Sequence, residues 1–69
     1  MKQKIYLTDD TWKRLTDMTK DHTGKDDVNT DDRKIFIKDE FNGTFKTTPD
    51  WGSIIFNDSS DYHRFMIFL

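Results

Sequence analysis

Cysteine and alanine are absent from the 69 residues, glutamate occurs once (Glu40), proline once (Pro49) and glycine three times. Without cysteine there are no disulfides and no thiolate-ligated zinc. Without alanine, and with twelve aspartates and nine threonines in place of the better helix formers, low helix content is expected, with caps, turns and strands favoured instead. No apolar run approaches the ~20 residues that a membrane span needs. No basic-then-apolar leader precedes a small-residue cleavage site, so a cytoplasmic location is expected. A chain this short holds one core at most. Below about 70–80 residues an unstapled core is marginal, and pairing with a second copy or a partner is a common remedy.

What is present is 33% hydrophobic and 35% charged with a net charge of −2, which places the chain among globular rather than disordered sequences. The apolar residues are concentrated in Phe, Ile, Leu, Trp, Tyr and Met, so a few large side chains must supply the whole core.

Lys2–Leu7 alternates as a first strand, with Ile5 and Leu7 on one face and Tyr6 on the other. A helix follows. Thr8 serves as its N-cap, Asp9 and Asp10 occupy the first turn, and Leu7 is placed to staple onto Trp12. At 100° per residue Trp12, Leu15, Met18, Thr19 and His22 share one arc, and Gly24 is the expected stop. The segment at about 22–33 has Val28 as its one hydrophobic residue and reads as a mobile Asp-rich loop.

Lys34–Phe41 and Thr44–Thr48 read as strands of a hairpin turning at Asn42-Gly43, since that pair accepts the positive φ of a type I′ turn. Thr48–Gly52 reads as a further turn around Pro49. Ser53–Asn57 and Tyr62–Leu69 read as a second hairpin, with a helix behind a Ser59 or Ser60 cap as the alternative for the last element. The expected fold is α+β, a small antiparallel sheet in the order β-α-β-β-β-β with one helix packed on one face. One helix covers one face, so the other face or a sheet edge is expected to meet a partner or a second copy as a homodimer.

KIYLTDDTWKRLTDMTK, residues 4–20, resembles the strand and first helix of the ribbon-helix-helix repressors. That family continues into a second helix, which would fall where Arg33–Phe41 reads as a strand. The family's function is therefore not carried over.

Candidate sites are few. Asp27, Asn29 and Asp31 match the first positions of a calcium loop, but Asp32 replaces the required glycine and Lys38 the required glutamate, so no metal and no cofactor is expected. His63 adjoins Asp61 and Tyr62, yet strand neighbours point to opposite faces, and with His22 at a helix end no catalytic set is expected. Charge is segregated: residues 9–32 hold eight Asp against four Lys or Arg, and residues 33–48 hold four basic groups against two acidic.

The leading expectation is thus a non-enzymatic, acidic protein-binding module. It presents Asp21, Asp26, Asp27, Asp31 and Asp32, with Trp51 as a lid or an anchor, to a basic groove on another protein, as a DNA mimic would. The composition suits a phage or mobile-element accessory protein inhibiting a host nucleic-acid-processing or defence enzyme. The alternative is a dimeric DNA-binding regulator using the N-terminal strand and helix with Lys2 and Lys4, and a second alternative is a structural assembly subunit. Direct nucleic-acid binding ranks lower; it would gather Lys2, Lys4, Lys34, Lys38 and Lys46 with Arg33 on part of the sheet, with bases stacked on Phe36 and Phe45.

Overall fold

The computed structural model describes residues 2–48 and 51–68. The chain runs β1 (Gln3–Tyr6), α1 (Asp9–Thr23), α2 (Thr30–Phe41), β2 (Gly43–Thr47), β3 (Gly52–Phe56) and α3 (Ser59–Phe68). The sheet is antiparallel with β3 central, in the order β1-β3-β2. The class is α+β, but with three helices and three strands among the described residues.

α1 begins and ends where its sequence signals lie. The Thr8 side chain accepts from the Thr11 N–H, and Gly24 closes the helix at φ 72°, its N–H reaching the Lys20 carbonyl. Leu15 and Thr19 are buried, and the buried Thr19 hydroxyl donates to the Leu15 carbonyl at 2.7 Å, which satisfies it inside the core.

The expected loop at 22–33 is shortened to residues 24–29, between the ends of α1 and α2, and the expected strand at 34–41 is replaced by α2. Asn29 and Asp32 form a reciprocal capping box: the Asp32 N–H donates to Asn29 Oδ1 at 2.9 Å and the Asn29 N–H to Asp32 Oδ2 at 3.1 Å. Only residues 24–29 connect α1 to α2, and Val28 is buried within that connection. The inward face of α2 spans an arc of about 140° that holds Phe36, Ile37 and Phe41 but also Arg33 and Glu40, while Ile35 falls outside it. Ile35 is 58% exposed. Charges inside the apolar arc and an isoleucine outside it blurred the helical period.

Asn42 is accordingly not a hairpin turn. It caps α2 in the left-handed region at φ 49°, ψ 40°, donating to the Ile37 and Lys38 carbonyls, and the chain enters β2 one residue later. The left-handed tolerance that suggested a type I′ turn is used instead to stop a helix. The hairpin lies at β2–β3, where Thr47 faces Gly52. There the Thr48 N–H donates to the Trp51 carbonyl at 2.7 Å, consistent with the expected turn; Pro49 and Asp50 lie outside the described residues.

The last element is also corrected, from strand to helix. Asp58 caps α3, its Oδ1 accepting from the Ser60 N–H at 3.0 Å and its carbonyl from the Tyr62 N–H. Leu69 lies outside the described residues.

The three helices contribute to one core on one face of the sheet. Phe56 and Phe65 are fully buried and meet Phe41 in edge-to-face contacts, with ring centroids 6.5 and 5.3 Å from it. Phe45 and Ile54 face inward from the strands, and Trp12 packs on Phe45 at 5.6 Å. Gly52 lies under Trp12, where a Cβ would come 2.7 Å from the indole ring. Phe36 and Ile37 are thus helical rather than strand residues, and Phe45, Ile54 and Phe56 share the covered face. Among the described residues no helix covers the other face of the sheet, and β1 and β2 each keep one unpaired edge.

Candidate functional site

Strand alternation and register determine what the open face displays. Opposite the inward rows Ile5–Ile54–Phe45 and Gln3–Phe56–Gly43 stand the outward rows Tyr6–Ser53–Lys46 and Lys4–Ile55–Thr44. Six outward positions on three strands therefore carry two lysines and no carboxylate, in a chain with thirteen acidic residues. Lys4 lies with its Nζ 4.8 Å from the Tyr6 ring centroid. Tyr6 is 66% exposed and meets Trp51 edge to face at 6.1 Å, so two accessible aromatic rings stand at the hairpin end of this basic face.

Ser53 is the anomaly of the face. It is 1% exposed, and its Oγ is buried without a hydrogen-bond partner among the described residues. Its register neighbours are Tyr6 and Lys46.

The basic character continues around the β2 edge. Lys34 and Lys38, one turn apart on α2, line an open groove of about 500 Å³ together with Lys46, Asn42 and Asn57. The Asn57 amide donates to the Asn42 carbonyl at 3.0 Å and holds the floor of that groove. Among the described residues, Lys4, Lys34, Lys38 and Lys46 make no ion pair, whereas Lys25, Arg14 and Arg64 do. Unpaired ammonium groups on strand positions that carry no carboxylate attract polyanions over a Debye length, about 8 Å at physiological salt.

The expected aspartate set is only partly brought together. Asp21 lies near the end of α1, Asp26 and Asp27 in the connection, and Asp31 in the first turn of α2; all four are exposed and unpaired among the described residues. Asp32 does not join them. Its carboxylate accepts the Asn29 N–H and, at 3.0 Å, the Lys25 ammonium, and these bonds hold its pKa below the ordinary 3.8. It is a helix-capping residue. Trp51 is separate again, sharing a cleft with Trp12 and Thr30 that none of these aspartates lines.

The other candidates are dispersed too. Asn29 is consumed as the N-cap of α2, and no group of three His, Asp or Glu side chains gathers to hold a metal among the described residues. Asp61 pairs with Arg64 at 3.0 Å while His63 packs on Tyr62, so the suggestive trio has no common site. His22 lies 3.6 Å from Glu40 and packs on Phe36. Phe36 and Phe45, considered as base-stacking residues, are buried, and Arg33 turns to the Thr16 hydroxyl and the Trp12 ring. The exposed aromatics beside the lysines are Tyr6 and Trp51. The alternation in KIY places Lys4 and Tyr6 on one face, but nothing local says that β3 separates β1 from β2 and so brings Lys46 into the same row.

Comparison with protein-family models, curated proteins and solved structures finds no match to this chain. No helix among the described residues is long and apolar enough to cross a membrane.

Proposed function

We propose that the chain is a non-catalytic module that binds a polyanion, nucleic acid foremost, on the open face of its sheet. The observation that carries this reading is the outward pattern Lys4, Tyr6, Thr44, Lys46, Ser53, Ile55, whose six positions hold two lysines and no acidic residue. The groove of Lys34 and Lys38 extends the same potential. Lys2, which precedes β1 in the same alternation, and Lys4 are also the residues that a nucleic-acid-binding regulator would use, so the reading stands nearer to that expectation than to a DNA mimic.

The test is the salt dependence of binding. Each phosphate contact contributes about 0.7–0.9 to the slope of log K against log salt. The double variant Lys4→Gln/Lys46→Gln should flatten the slope by about 1.4–1.8. No binding at 50 mM salt, or an unchanged slope in the variant, would contradict the reading.

A second reading is supported by the exposed and unpaired Asp21, Asp26, Asp27 and Asp31 at the α1–α2 corner. In that reading the chain inhibits a nucleic-acid enzyme by occupying its basic groove, as an accessory protein of a phage or mobile element would. Neutralising these four to Asn should then abolish salt-sensitive capture by a basic protein partner. Unchanged capture would dismiss it.

A further inference from the structure

The lysines specify a polyanion but not which one, and the open face carries chemistry that charge alone does not require. Tyr6 is 66% and Trp51 46% exposed, and the two rings meet edge to face at 6.1 Å. Rings of this exposure beside unpaired lysines are the combination that holds single strands, because every base offers a π face while the ammonium groups follow the backbone. A duplex keeps its base faces inside the stack, and polyphosphate or an acidic protein has none to offer.

Building on that polyanion reading, we propose that the ligand is a single-stranded oligonucleotide. Its bases stack on Tyr6 and Trp51, and its phosphates run past Lys4 and Lys46 towards the Lys34–Lys38 groove. Two details of the face suit this ligand. Lys4 lies over the Tyr6 ring at 4.8 Å, a solvent-exposed cation–π contact that is weak enough to be exchanged: a base takes the ring face and the ammonium moves to a phosphate. Ser53 places a buried Oγ, without a partner, in the row between Tyr6 and Lys46. A base edge that reaches this hydroxyl supplies the hydrogen bond that it lacks among the described residues.

The experiment measures anisotropy of labelled ten-nucleotide deoxythymidine and uridine strands, a ten-base-pair duplex and inorganic polyphosphate at low salt, with tryptophan emission recorded in parallel. The single strands should bind at least about tenfold more tightly than the duplex and quench the emission. The deoxythymidine and uridine arms show which sugar is preferred. Tyr6→Ala and Trp51→Ala should each weaken single-strand binding about 5- to 150-fold while leaving polyphosphate binding unchanged. Trp51→Phe should keep the affinity and lose the quenching, which separates stacking from damage to the fold. Equal affinity for duplex or polyphosphate, or single-strand affinity unaffected by loss of the rings, would overturn the stacking proposal and leave the polyanion reading standing. Absence of binding to all four probes would overturn both.

Discussion

Gly52→Ala probes a close approach between the sheet and α1. A Cβ at this position would lie 2.7 Å from Trp12 Cζ3 and 3.1 Å from Leu7 Cδ1, where ordinary contacts begin at 3.4 Å. The indole would have to retreat by roughly 0.7 Å to restore an ordinary contact. It has little room, since Phe45 packs against it with centroids 5.6 Å apart and the Arg33 guanidinium lies 5.2 Å from its centroid. An added methyl in a packed site with rigid neighbours costs about 1–3 kcal/mol. For a domain of this size each kcal/mol lowers Tm by about 4–8 °C, so a fall of about 4–24 °C is expected in a thermal melt followed by circular dichroism. Trp12→Leu should remove the clash, so that the double variant loses less than the sum of the two single losses. An unchanged Tm for Gly52→Ala would show that α1 does not pack on β3 as described.

Asp32 gives a pH dependence of definite sign. Its folded pKa lies below the ordinary 3.8 because of the Asn29 N–H first and the Lys25 ammonium second. Its contribution is therefore complete above the unfolded value and is lost as the pH falls through the folded one. Urea midpoints measured from pH 6 downward should decline less steeply below about pH 4 in Asp32→Asn than in the parent chain. Phe65 and Ile67 test how α3 is held. Phe65 is fully buried against Phe41 and Phe56, so Phe65→Ala should cost about 3–5 kcal/mol by urea denaturation, whereas Ile67→Ser should change stability by less than about 0.5 kcal/mol. Ile67 is 80% exposed.

The first third of the chain was legible because its signals are local and agree with one another. Alternation marks β1, Thr8 and the two aspartates after it mark the start of α1, and Gly24 marks its end. α2 was not legible because its decisive signal, the Asn29–Asp32 capping box, sits inside a stretch so rich in aspartate that it reads as solvated loop. Its β-branched and aromatic residues also favour strand when counted without context. With residues 34–41 read as a strand, Asn42-Gly43 follows as its turn.

α3 was open between two periods, and the Asp58 cap with Phe65 in the core decides for the helix. The site divides in the same way. Charge segregation could be counted from the sequence, but the row Tyr6–Ser53–Lys46 joins residues far apart in the chain, and only the strand order assembles it.

The most direct test of the open sheet face as the interaction surface is a titration of the ¹⁵N-labelled protein with a ten-nucleotide single strand at low salt, followed by amide and indole NMR shifts. Shifts are expected to concentrate at Lys4, Tyr6, Lys46, Ser53 and Ile55 and at the Trp51 indole, with Asp21, Asp26, Asp27 and Asp31 unmoved. Shifts confined to the aspartate corner, or no shifts at all, would contradict it.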